Sequence, residues 1–286
     1  MVENTQHVTV IGAGTMGHGI AAQAARCGLS VHLFDPQPEA LSRGLEQVHS
    51  LYQKALSREK MTAEEVEQAL ARLEGSSESL AVALEGADLV IEAVPERLEL
   101  KRAIFAEVEP LVSSACLLAS NTSSLSISSI AEGLEHPARF LGMHFFNPVM
   151  IMTLLEVVRG EHTSDESVTR ALSLGERLLK TCITVQDSPG FATSRLGIAL
   201  GNEAMRMFEE GVASAKDIDT AMTLGYKHPI GPLALTDLVG LDVRLSISEH
   251  LYKELGTDTF KPPQILREKV ARGELGKKVG RGFYTY

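Results

Sequence analysis

The chain has 286 residues, 44% of them hydrophobic, with a net charge of −10 and a pI near 5.4. That is enough for one or two domains with a sizeable core. It argues against nucleic acid as the main partner, since a polyphosphate would meet a repulsive global field. The three cysteines, Cys27, Cys116 and Cys182, show no metal-ligand spacing, so a reduced compartment and no metal are expected.

The N-terminal stretch "MVENTQHVTVIGAG" enters a strand pattern by residue 8, without a basic n-region or a long apolar h-region. No apolar run reaches about 18 residues, so no membrane span is expected, and the location that follows is the cytoplasm. "HVTVIGAGTMGHGIAAQAARCG" reads as a strand, a tight turn and a helix. Gly12, Gly14 and Gly17 set G-x-G-x-x-G around Thr15 and Met16 as the helix opens. Gly12 permits the turn, Gly14 lets the backbone approach a pyrophosphate, and Gly17 lets helix and strand pack closely. The opening helix offers free N–H groups and a partial positive charge to that pyrophosphate. A second strand, Ser30 to Phe34, ends in Asp35, 23 positions after Gly12. An acid there binds both ribose hydroxyls and repels a 2′-phosphate, so the cofactor is read as NAD and not NADP.

Further strands are predicted at Asp88 to Val94, Cys116 to Ser120, Phe140 to His144 and Leu154 to Val158, with helical patterns between most of them. Alternation of this kind predicts an α/β fold, a Rossmann-like, doubly wound and mostly parallel sheet. The long connection after the second strand reads as a helical excursion over about 38–72, with helices at 38–57 and 62–72. It carries Lys54, Arg58 and Lys60, which form either an anion patch or an ordinary solvated face. From residue 188 strand character is lost, and the domain boundary is placed between 187 and 188. Asp187, Ser188 and Pro189 read as the start of a helix that Gly211 closes. A second helix is predicted from Ser214 to Gly225, a long third one through "GPLALTDLVGLDVRLSISEHLYKEL", and a fourth after Pro262 and Pro263. This second domain, 188–286, is all-helical. Its basic, glycine-rich and aromatic tail, "GELGKKVGRGFYTY", is expected to fold back.

One stretch suggests chemistry. "HFFNPVMIMTLLE" sets His144 and Glu156 twelve positions apart around an apolar run. If the chain reverses near Pro148 to Met152, the two face one another on neighbouring strands. A carboxylate on one imidazole nitrogen fixes the tautomer and raises the basicity of the other, which describes a general base. The alternative is a structural histidine beside an exposed acid.

"IGAGTMGHGIA", "SNTSSL", "HFFNPV…LLEV", "DSPGF", "DIDTAMTLG…PIGPLALTDLVGLD" and "GKKVGRGFY" occur in that order. Together they resemble the 3-hydroxyacyl-CoA dehydrogenase family, in its short single-function (3-hydroxybutyryl-CoA dehydrogenase) form, over essentially the whole chain. The resemblance implies reversible NAD-linked oxidation of an (S)-3-hydroxyacyl-CoA to the 3-ketoacyl-CoA, with His144 as base and Glu156 as its orienter. It implies that Ser123 and Asn147 contact the substrate's 3-oxygen and the nicotinamide side of the cofactor. It places Glu96, Lys101 and the tail lysine, Lys278, near NAD. It also implies that the excursion grips coenzyme A and that the helical domain forms a homodimer.

Three positions depart from the family pattern. Ser194 stands in "PGFATSR" where the family has an asparagine that helps hold the substrate, and serine cannot offer amide donor and acceptor together. Met150 replaces a proline and Thr153 a lysine in the run after His144. These leave open a dehydrogenase of a free hydroxy acid, of L-gulonate or carnitine type, on the same scaffold. A non-catalytic NAD-binding protein is the remaining alternative, against which retention of both His144 and Glu156 argues.

Overall fold

The computed structural model describes residues 5–286. Its contacts divide the chain into two compact units, one ending at Asp187 and one spanning Ser188–Tyr286.

The first unit is built on an eight-stranded sheet. In chain order it contains β1 (His7–Ile11), α1 (Gly17–Arg26), β2 (Ser30–Phe34), α2 (Pro38–Ser57), α3 (Ala63–Leu70), β3 (Leu73–Ser76), α4 (Leu80–Ala83), β4 (Leu89–Glu92) and α5 (Leu98–Val108). There follow β5 (Leu117–Ser120), α6 (Ile127–Ile130), β6 (Phe140–Phe145), β7 (Leu154–Arg159), α7 (Asp165–Arg177) and β8 (Thr181–Gln186). The strand order is β3-β2-β1-β4-β5-β6-β7-β8. Every neighbouring pair is parallel except β6–β7. Helices cover parallel strands on both faces, so the central ones read as apolar runs: β4 and β5 are buried at every position. Helix α1 lies close against the sheet because its buried face is made of small residues, Ala21, Ala22, Ala24 and Ala25 among them.

The excursion packs on α1. Leu41, Gly44, Val48 and Tyr52 recur at helical spacing and form the buried stripe of α2. Tyr52 is fully buried, and its hydroxyl donates to the Ala22 carbonyl at 2.7 Å. Helix α3 opens on a capping box, with Thr62 and Glu65 each accepting the other's amide. It ends at Leu70, short of the expected 72, because the chain extends at once into β3. This strand has no expectation behind it: "LEGS" lies at the sheet edge with no buried position, so nothing in its pattern marks it. Strand β8, at the other edge, was likewise not expected and has no fully buried residue.

The second unit contains α8 (Thr193–Glu209), α9 (Ala215–Thr220), a π-helical turn (Ala221–Gly225), α10 (Pro232–Val239), α11 (Leu241–Leu255) and α12 (Gln264–Ala271). Two expectations need correction here. Helix α8 starts at Thr193 and not at Asp187–Pro189, because Gly190 and Phe191 adopt positive φ and break the run. The Asp187 carboxylate instead caps α6 in the first unit, accepting from Ser126 Oγ at 2.7 Å and from the amides of Ile127 and Ser128 at 3.0 and 2.8 Å. The long third helix is two helices. Gly240 separates them at φ +104°, a conformation closed to most L-residues, while the apolar spacing runs on through it.

The tail folds back within this unit. The fully buried Asp237 accepts the amides of Phe283 and Tyr284, each at 2.8 Å. The Tyr284 hydroxyl donates to Asp219 at 2.7 Å, and the same carboxylate takes the amides of Leu233 and Ala234 at the start of α10. Gly282 is required at this closure, since a Cβ there would stand 2.0 Å from Asp237 Oδ1.

Candidate active site

The glycine loop follows β1 at the carboxyl edge of the sheet, where ligands of open α/β sheets bind. Gly17 leaves no room for a side chain: a Cβ would come within 1.7 Å of the Gly12 carbonyl oxygen. Gly14 is the opposite case, exposed, with nothing within 4 Å of the place a Cβ would take. Thr15 is exposed beside it, and Met16 occupies the N-cap of α1 without a side-chain hydrogen bond. No acid lies in the first turn, so the positive end of α1 keeps its field. Asp35, just past β2, accepts the Ala13 amide at 2.9 Å through Oδ2 and the Gln37 amide at 3.0 Å through Oδ1. These two bonds aim the carboxylate across the glycine loop and leave it further lone pairs. An open backbone face, an unneutralised helix start and a fixed acid suit a dinucleotide.

Beyond β4 lies a buried polar network. Glu92 is fully buried and accepts Lys101 Nζ at 2.6 Å, the Val94 amide at 2.7 Å and Ser120 Oγ at 2.6 Å. Lys101, also buried, reaches Glu96 at 3.3 Å with the same ammonium. Glu96 in turn accepts Thr122 Oγ1 at 2.6 Å and the amides of Ser123 and Ser124 at 2.9 and 3.1 Å. Burial pushes the Glu96 carboxyl up, but the Lys101 charge and these donors outweigh it and hold it below its ordinary value. In the stretch "SNTSS", Ser120 is thus held by Glu92 and Thr122, Ser123 and Ser124 by Glu96. Sequence reasoning missed Glu92, which falls inside the strand predicted at Asp88 to Val94, and Asn121, whose Oδ1 accepts the Phe145 amide at 2.9 Å.

His144 and Glu156 are register partners in the β6–β7 antiparallel ladder. His144 Nδ1 and Glu156 Oε2 stand 2.7 Å apart, with Glu156 fully buried and His144 6% exposed. An imidazole so held donates through Nδ1, which leaves Nε2 the basic nitrogen. Asn147 follows at the exposed start of the turn. Among the described residues no group of acids, histidines and cysteines could hold a metal.

The remaining candidates are placed as follows. Lys54 lies in the last turn of α2, Arg58 at its C-cap, and Lys60 just beyond, all exposed. Ser194 is the second residue of α8. Lys278 lies in the second unit, where its ammonium grips both oxygens of Asp242 at 2.6 and 2.7 Å. A cavity of about 660 Å³ lined by Ser114, His136, Arg139, Ser167 and Arg170 opens at the amino ends of β5 and β6 and holds none of the candidate residues.

Known proteins match the chain along nearly its whole length. The family model described as "3-hydroxyacyl-CoA dehydrogenase, NAD binding domain" matches residues 7–188, and the model of that family's C-terminal domain matches 190–286. A probable 3-hydroxybutyryl-CoA dehydrogenase of Bacillus subtilis is 43% identical over 98% of this chain and 97% of its own length. A 3-hydroxybutyryl-CoA dehydrogenase of Mycobacterium tuberculosis is 39% identical over the full length of both. Among solved structures, that of (S)-3-hydroxybutyryl-CoA dehydrogenase from Ralstonia eutropha superposes with a TM-score of 0.94 at 42% identity, covering 99% of each chain. The fold and these matches define an oxidoreductase with a Rossmann-type NAD-binding domain. The chain belongs to the 3-hydroxyacyl-CoA dehydrogenase family.

Proposed function

We propose that the protein catalyses the reversible NAD-linked oxidation of an (S)-3-hydroxyacyl-CoA, of short acyl chain, to the 3-ketoacyl-CoA. The observation that carries this is the 2.7 Å pairing of His144 with a fully buried Glu156 on the same sheet as the dinucleotide cradle. His144 Nε2 takes the proton of the substrate's 3-hydroxyl, and Glu156 holds the imidazolium that forms. When bound, the nicotinamide supplies the acceptor for the hydride that leaves C3. Ser123 and Asn147 hydrogen-bond the 3-oxygen and the nicotinamide side. Gly12, Gly14, Thr15, Met16 and Gly17 cradle the pyrophosphate, and Asp35 takes the ribose hydroxyls. Glu96 lies at the cofactor, and Lys101 acts there through it. Lys278 returns toward the cofactor, Ser194 contributes to the substrate side, and Lys54, Arg58 and Lys60 meet the phosphates of coenzyme A.

The protein works as a homodimer through its helical unit, a reading supported by the exposed apolar residues there, Leu224, Tyr226 and Leu238 among them. None of the described helices is long and apolar enough to cross a membrane. We place the protein in the cytoplasm, consistent with three unpaired cysteines.

The test is oxidation of NADH by acetoacetyl-CoA, followed by absorbance, with free acetoacetate and NADPH in parallel. Turnover with NADH and the coenzyme A ester alone is expected. Turnover of the free acid in preference to the ester would overturn the substrate assignment, and equal rates with NADPH would overturn the cofactor assignment.

A further inference from the structure

Lys180 is 6% exposed, and its ammonium donates to two backbone carbonyls, that of Val149 and, at 2.8 Å, that of Met152. Burying an ammonium on neutral partners is costly, and burial is the leading reason its pKa lies below the ordinary lysine value. The charge of Cys27 opposes that fall, and that of Arg26 adds to it. A methionine would fill the same space at lower cost, so the charge is kept for the carbonyls it holds.

Both carbonyls belong to the turn that joins His144 to Glu156. Within it the amides of Ile151 and Met152 share the Pro148 carbonyl at 2.9 Å each, so the Val149 and Met152 carbonyls are left for an outside donor. The turn is also pinned from a second direction. Val149 is buried against α1, and a Cβ on Gly19 would stand 3.0 Å from Val149 Cγ2. The same turn therefore touches the residue before β8 on one side and the dinucleotide helix on the other.

We propose that Lys180 is a positioning residue, whose ammonium locks the Pro148–Met152 turn and so sets His144 and Asn147 relative to the glycine loop. This rests on the reading of His144 as the base. A shift of about 1 Å in a reacting group costs on the order of 100-fold in rate.

The experiment compares full-length Lys180→Met, Lys180→Arg, Gly19→Ala and His144→Ala with the wild type. It reads NADH Kd, kcat and KM for acetoacetyl-CoA, and amide exchange at Ile151 and Met152. For Lys180→Met we expect kcat to fall about 10-fold or more, NADH Kd to stay within about twofold, and both amides to exchange faster, with Lys180→Arg recovering most of kcat. Gly19→Ala presses on Val149 from the other side and is expected to lower kcat as well, which keeps the test decisive if Lys180→Met does not fold. Wild-type kcat in Lys180→Met, or in Gly19→Ala where that is the only soluble variant, overturns the proposal. So does a parallel loss of kcat and NADH affinity that Lys180→Arg does not recover. Wild-type turnover in His144→Ala overturns the reading of the base itself. An inactive His144→Ala beside an unimpaired Lys180→Met overturns only the role of Lys180.

Discussion

Glu156 stands directly across the β6–β7 ladder from His144, its Oε2 2.7 Å from the imidazole Nδ1, and solvent reaches neither side of that bond freely. Because register sets the pairing, the two side chains meet without depending on a flexible loop. Glu156→Gln keeps the volume and loses the charge that fixes the tautomer and steadies an imidazolium. We expect kcat to fall about 100-fold or more, toward the full worth of a general base, with NADH affinity unchanged. Steady-state rates with acetoacetyl-CoA and a fluorescence titration of NADH check this. A kcat within a few-fold of wild type would show that Glu156 is only a packing residue.

In the proposed function Asp35 carries the choice of cofactor. Its carboxylate is held by the amides of Ala13 and Gln37, at 2.9 and 3.0 Å. Asp35→Ala removes charged hydrogen bonds worth about 1.5–3 kcal/mol, so NADH Kd is expected to rise about 10- to 100-fold. It also removes the repulsion of a 2′-phosphate, so the preference for NADH over NADPH should narrow. Paired titrations with the two nucleotides measure both effects. An unchanged NADH Kd would place the ribose elsewhere.

Much of this site is legible in the residues themselves, because the features that carry it are local. Three glycines at fixed spacing, a β-branched strand before them and an acid at the end of the next strand define the cradle within one βαβ unit. The reversal between His144 and Glu156 follows from a proline and a symmetric apolar run. What escaped is what depends on distant partners. Strand β3 is "LEGS", four residues that form a strand only because β2 offers an edge. Strand β8 pairs with β7 along its whole length but buries no residue fully, so its periodicity says little. Asp187 looks like a helix start and instead caps α6, some 60 residues earlier in the chain. Glu92 falls inside a predicted strand and Lys180 belongs to no motif, and each is a buried charge with partners from other elements. Gly240 stops a helix whose apolar spacing continues through it, and only its φ reveals the break.

Ser194 provides a test of specificity. It is the second residue of α8, at a position where the family resemblance implies an asparagine. Ser194→Asn restores an amide with both donor and acceptor. We expect it to change KM or the chain-length profile across C4 to C10 3-ketoacyl-CoA substrates and to leave the pH optimum in place. Identical profiles in the two proteins would remove Ser194 from the substrate side.

Glu274 links stability to acid. Hydrogen bonds from Lys269, then from Arg272, hold its carboxyl down to about 2. A glutamate in the unfolded chain titrates near about 4.3. Because the folded value is the lower one, the stability it contributes is complete above about 4.3 and is lost as pH falls toward about 2. The Tm difference between wild type and Glu274→Gln should therefore be largest near neutrality and shrink across that window. A difference that stays constant from pH 6 to about 2 would contradict the ion pairing.

His144 is the residue on which the proposed chemistry turns. The most direct measurement is acetoacetyl-CoA-dependent NADH oxidation by wild type and His144→Gln at matched, saturating concentrations, with NADH Kd taken on the same samples. We expect kcat to fall about 100- to 10,000-fold while NADH still binds with wild-type affinity. Equal turnover in the two proteins would contradict the assignment of His144 as the base.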